Sequence, residues 1–191
     1  MLGGVDPRQV HSGDDGLLRC VQCGMRYDLE PAGAAEALRA DAAAFVAAVA
    51  RTPASARDQR PDPATWSVNG YAAHVADVVG LMRDRMRRIL EEDAPDLPYY
   101  DEQAEAQRRH FDDVPAHESA TLVAERAADA VHVVERVAAD PDADRLWQRY
   151  GVHPQQGRLA LWQVACDAVH ELRHHASDVV AVTHRVDDLR D

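Results

Sequence analysis

The sequence predicts an all-α protein, a bundle of four long helices preceded by a short cysteine-containing arm. Three observations carry this. Apolar residues recur three and four positions apart over long stretches, which is the helical period. The composition is rich in Ala, Arg and Glu, all good helix formers. Long alternating runs of β-branched residues are missing. The 191 residues suit one domain with a short appendage, and a 46% hydrophobic fraction supplies a core. Only 5% of residues are aromatic, so that core is made mostly of Ala, Val and Leu.

Residues 1–33 form the arm. It carries Leu17-Leu18, then Cys20-Val21-Gln22-Cys23, then Tyr27 and Leu29, and Pro31-Ala32-Gly33 closes it. Residues 34–191 form the bundle. The Ala-rich segment Ala34 to Arg51 is the first long helix. Thr52 to Pro63 contains three prolines and reads as a linker. Ser67 is placed to cap the second long helix, which runs to about Glu92. Its apolar positions are Val68, Tyr71, Val75, Val78, Met82, Met86 and Ile89. Pro95 and Pro98 break the connection 93–111, where a short helix starts at Asp101. The third long helix spans about Glu118 to Ala139, with Leu122, Ala127, Val131, Val134 and Val137 on its buried side, and Pro141 stops it. Residues 141–158 read as a loop, and the last helix runs from about Leu159 to Val182. Four long helices joined this way make a bundle.

The formal net charge of −12 argues against a nucleic-acid partner, which would need clustered positive charge. A solvated helix face accounts for the basic stretch Arg83, Arg85, Arg87 and Arg88. No apolar run approaches the roughly 20 residues of a membrane span, and Met1 to Val10 lacks the apolar core of a signal peptide. A cytoplasmic protein with no membrane partner is expected. In that compartment, Cys20 and Cys23 point to metal or redox chemistry over a disulfide. A structural zinc needs four ligands. His11 offers a third beside this pair, and no fourth is visible. Cys166, on an apolar face, reads as a small core residue.

Ten histidines are present. His110, His117, His132, His153 and His184 have no convincing partners in the sequence. The cluster His170-Glu171-Leu172-Arg173-His174-His175 on the last helix is different. Residues four apart share a helix face at about 6 Å. Two pairs are spaced to share a metal: His170 with His174, and Glu171 with His175. Imidazole and carboxylate both suit zinc, nickel or iron. His74, at the edge of the second helix's apolar face, is the candidate third ligand from across the bundle. Three protein ligands with open positions make a catalytic pattern, and four a structural one. Spacing alone does not choose between the two pairs.

Two segments resemble a known family. Trp66-Ser67 with Tyr71-Ala72-Ala73-His74-Val75-Ala76-Asp77-Val78 resembles the second helix of the DinB-like proteins, and His170 to Val179 resembles their last helix. The resemblance covers about residues 34–185 and is similar to the branch containing mycothiol-dependent maleylpyruvate isomerases and bacillithiol transferases. It implies a DinB-like four-helix bundle holding zinc or nickel through one residue of the second helix and two of the last. Matching His175-Ala176-Ser177-Asp178-Val179 to the isomerases favours His74, Glu171 and His175. Ligand strength would favour His170 and His174.

The resemblance further implies a thiol S-transferase or isomerase. A mycothiol-like low-molecular-weight thiol would be the cosubstrate, a small-molecule electrophile its partner, and a homodimer the assembly. A metal lowers the pKa of a coordinated thiol and so makes thiolate at neutral pH. Asp77 or Asp178 could orient a ligand imidazole. Catalytic candidates are Asp178 and whichever of His170 and His174 does not bind metal. The alternatives are a non-catalytic metal-binding bundle, such as a stress-linked accessory protein, and a metal-dependent hydrolase.

Overall fold

The computed structural model describes residues 18–189 and the backbone of 10–12. Four long helices dominate: α1 (Pro31–Arg51), α2 (Val68–Glu91), α4 (Ala116–Ala138) and α6 (Leu161–Asp188). Two short helices, α3 (Glu102–Arg109) and α5 (Ala143–Trp147), lie in the connections. Two antiparallel hairpins complete the fold: β1 (Val10–Ser12) with β2 (Leu18–Cys20), and β3 (Tyr150–His153) with β4 (Gly157–Ala160).

The long helices pack as a ring in which α1 and α2 each touch both α4 and α6. The consecutive helices α1 and α2 therefore sit diagonally. The long proline-containing connection between them makes this possible, because it can cross the end of the bundle. The core is small-residue rich, as composition requires. Ala42, Ala48, Ala127 and Ala130 let backbones approach, while Phe45, Leu38, Met86, Ile89 and Leu172 fill the volume. Each large side chain so buried contributes about 1.5–3 kcal/mol.

The helix ends follow local chemistry. Pro31 opens α1, where its missing N–H costs nothing. Ser67 Oγ accepts the Gly70 N–H at 3.0 Å and starts α2. Asp112 Oδ1 in turn accepts from Ser67 Oγ at 2.5 Å, and a Cβ at Gly70 would lie 2.9 Å from that oxygen. Gly70 is the residue that lets the cap close. Arg149 caps the other end of α2, donating to the Ile89 and Glu92 carbonyls. Asp101 Oδ1 accepts from Ala104 N and opens α3, where the sequence places a short helix.

Three expectations need correction. Residues 150–160 are a hairpin and not part of a loop or of the last helix, which therefore starts at Leu161 and continues to Asp188. Val152 bonds back to Pro95 and Leu97, so the hairpin lies against the α2–α3 connection. Leu122 is exposed, and Val123 takes the buried position one residue on. Arg85 is buried where a solvated face was expected.

The arm is docked on the bundle. Met25 and Tyr27 are buried in the main core, with Leu18 packed against it. Trp147 Nε1 donates to the Leu29 carbonyl at 3.2 Å.

Candidate metal centre

The inward face of α2 presents His74, which is 1% exposed. The facing turn of α6 presents Glu171 and His175, one turn apart. His74 Nε2 lies 3.3 Å from Glu171 Oε2, and His175 Nε2 lies 3.2 Å from the same oxygen. One donor atom from each residue falls within 4.8 Å of the other two. Trp66 packs on the His74 ring at 5.1 Å, and the His175 ring stands perpendicular to it at 4.9 Å. These contacts fix both imidazoles before any ligand arrives.

Burial alone would raise the Glu171 carboxyl, but hydrogen bonds from His175 and His74 outweigh it and hold the group well below the usual carboxylate range. Burial would likewise lower His175. Its hydrogen bonds to Asp178 and Glu171 win, and its pKa rises to about 9. His175 Nδ1 and Asp178 Oδ2 are 2.8 Å apart, so Asp178 fixes the ring with Nε2 facing Glu171. Asp178 also accepts from Gln22 Nε2 of the arm at 2.6 Å. Asp77, the other candidate orienting group, is instead paired with Arg109 and Arg126.

The two α6 pairs face different partners. Glu171 and His175 meet His74. His170 and His174 meet the arm, where Cys20 Sγ lies 3.5 Å from His174 Nδ1. The side chain of His11, the expected companion of the cysteines, lies outside the described residues. Cys166 is fully buried in the core.

A polar cleft of about 380 Å³ opens beside the His74 group. His74, Glu171 and His170 form its inner wall, and the β3–β4 turn supplies Gln155 and Gln156. Reading the sequence gave no site role to several of its residues, among them Asp167, Arg85 and His153. Asp167 sits one turn before Glu171; burial, and then the Glu171 charge, push its carboxyl well above the ordinary range while Arg85 opposes. Its spacing of four from Glu171 was the available signal. Arg85 is buried in the same wall, its guanidinium lowered by burial and raised by Asp167. His153 is also buried here, and its pKa is lowered by burial and then by Arg85.

The donor set fits a divalent cation. Tetrahedral zinc with bonds of 2.0–2.1 Å sets neighbouring donor atoms about 3.3 Å apart, and the two close contacts here are 3.2 and 3.3 Å. Among the described residues no fourth donor joins this group, and the polar cleft adjoins it.

The sequence model of the DinB superfamily matches residues 37–179. The chain belongs to the DinB superfamily. Solved structures share the fold of this chain. YfiT from Bacillus subtilis, described as a probable metal-dependent hydrolase with an unusual four-helix bundle topology, superposes with a TM-score of 0.72 at 18% identity, over 97% of this chain and 95% of that one. A mycothiol-dependent maleylpyruvate isomerase superposes with a TM-score of 0.63 at 14% identity, over 80% of this chain and 62% of that one. Comparison with curated proteins gives no match. Among the described residues, no helix of this DinB protein is long and apolar enough to cross a membrane.

Proposed function

We propose that this protein is a metal-dependent enzyme in which His74, Glu171 and His175 hold one divalent ion, zinc or nickel, and a low-molecular-weight thiol is transferred to a small electrophile or used to isomerise it. The observation that supports this is the three-donor group with its open side on a polar cleft. A bound metal would lower the pKa of a coordinated thiol and polarise a carbonyl. The remaining roles belong to the chain. Asp178 holds the His175 ring by its Nδ1–H. Arg85, Gln155 and Gln156 offer charge and hydrogen bonds to a polar substrate such as a mycothiol-like thiol. Asp167, whose carboxyl is pushed well above the ordinary range by burial and the Glu171 charge, is the chain's candidate proton donor inside the cleft. Trp66 and Tyr100 flank His74 and limit water on its apolar side.

A second reading is hydrolysis. Glu102 Oε2 lies 4.0 Å from His74 Nε2 at the cleft edge, where its carboxylate can take a proton from an attacking water. The test is turnover by untagged, metal-loaded protein of a chromogenic electrophile with and without mycothiol, beside a chromogenic ester. Thiol-dependent turnover that falls to background in His74→Ala supports thiol transfer. Thiol-independent ester cleavage abolished by Glu102→Gln selects hydrolysis. Metal retention without either activity makes the bundle a non-catalytic metal binder and sinks both.

A further inference from the structure

We propose that Cys20, Cys23, His170 and His174 form a second metal site, a closed Cys2His2 zinc centre that fastens the arm to α6. It does not depend on the function assigned to the His74 group.

One donor atom from each of these four residues lies within 4.8 Å of the other three. Zn–S bonds of about 2.3 Å and Zn–N bonds of 2.0–2.1 Å give tetrahedral donor separations of about 3.3–3.8 Å. The Cys20 Sγ to His174 Nδ1 distance of 3.5 Å falls inside that range. The cysteines sit on a turn shaped to aim both sulfurs one way. Cys20 N donates to the Met25 carbonyl at 3.0 Å, and the Cys20 carbonyl accepts from Gly24 N at 2.9 Å. Gly24 takes φ +69°, a conformation that glycine adopts without strain.

A second, independent observation points to a ligand. His170 Nε2 is buried and has no hydrogen-bond partner, an expensive state for a polar nitrogen that coordination through this atom would relieve. His174 Nε2, the nitrogen not facing Cys20, lies 3.7 Å from Asp178 Oδ2. One carboxylate thus stands behind His174 on one side and His175 on the other.

Charge closes the case for a site this buried. One Zn²⁺ enters, two thiol protons leave, and both imidazoles enter neutral, so the loaded centre carries no net charge. Burying an uncompensated ion would be costly, and this set avoids it. Four protein ligands leave no open position, so the role is structural. The Cys20–Cys23 pair, which lacks a second CxxC in the sequence, finds its remaining ligands about 150 residues away on α6.

The experiment combines elemental analysis of untagged protein with Co²⁺ substitution. Wild type is expected to bind two metals per chain, and the cobalt form to show an intense near-ultraviolet thiolate-to-cobalt charge-transfer band. Cys20→Ser/Cys23→Ser should lose one metal and the whole band while keeping its helical circular dichroism. His74→Ala/Glu171→Ala should lose one metal and keep the band. His170→Ala/His174→Ala should lose or shift it. A wild-type cobalt protein without the band overturns the proposal with no variant needed. So does a band unchanged in His170→Ala/His174→Ala. Loss of metal in His74→Ala/Glu171→Ala but not in the cysteine variant would leave the His74 centre standing and remove this one. The reverse pattern removes the His74 centre alone.

Discussion

Gln22 Nε2 donates to Asp178 Oδ1 at 2.6 Å, tying the turn between the two arm cysteines to the carboxylate that orients His175. Outer-sphere carboxylates of this kind are worth about 10–100-fold in metal affinity. Asp178→Ala should weaken metal binding at the His74 group by that factor. Gln22→Ala should do so by less, within about tenfold, because it only supports the supporter. Chelator competition on the cysteine-free background measures both. Equal affinity in wild type and Asp178→Ala would show that His175 needs no orienting partner.

Metal uptake at the His74 group should be proton-linked. His175 holds its second proton up to about 9 in the metal-free protein, and coordination must displace it, so affinity climbs with pH and levels off above that value. The stability of the metal-free fold runs the opposite way. The folded pKa lies above the ordinary histidine value of 6.5, so this contribution is complete below about 6.5 and disappears as pH rises to about 9. Glu171 and Asp178 are held low and titrate beneath this window. Thermal melts of chelated protein should fall between the two pH values, while zinc-loaded protein should not show that loss. Melts that coincide at both would contradict the His175 assignment.

Asp112 holds the cap that positions His74. Its carboxylate accepts from Ser67 and from Arg60, and these bonds keep it ionised against the opposing effect of burial. Asp112→Ala should cost about 1–2 kcal/mol, in line with loss of a helix cap. Urea titration reads the change. Gly70→Ala should be at least as damaging, because its Cβ meets the same oxygen.

On α4 the buried stripe includes Val123 and excludes Leu122. Val123→Ala should destabilise by about 2 kcal/mol, and Leu122→Ser should stay within about 0.5 kcal/mol of wild type. Denaturant midpoints of the two variants decide it, and the reverse order would mean that α4 is rotated from the arrangement described.

The contrast between Leu122 and Val123 shows how far periodicity reaches. It placed α2 with its cap, its apolar stripe and His74, because those depend on neighbours within one or two turns. It placed the third helix but put one residue on the wrong side of a stripe whose other members are small. The β3–β4 hairpin escaped because its strands are only four residues each and gain their partners from the α2–α3 connection. Arg85 looked like its neighbours Arg87, which is exposed, and Arg88, which is half-buried, and only the fold buries it. On α6 the spacing showed two ligand-like pairs but posed them as rivals. Nothing local to residues 170–175 says that two different elements approach the same turn, one from α2 and the other from the arm.

The separation between Cys20 and His174 also sets a timetable. Chains are synthesised at about 5–20 residues per second, so a residue some 150 positions downstream follows about 8–30 s later. Throughout that interval the two thiols have left the ribosome without the helix that will cover them. They are open to oxidation with each other, three residues apart, until the last helix emerges. Yield of correctly assembled protein should therefore depend on how reducing the surroundings are during translation, even though the finished molecule keeps Cys20 fully buried.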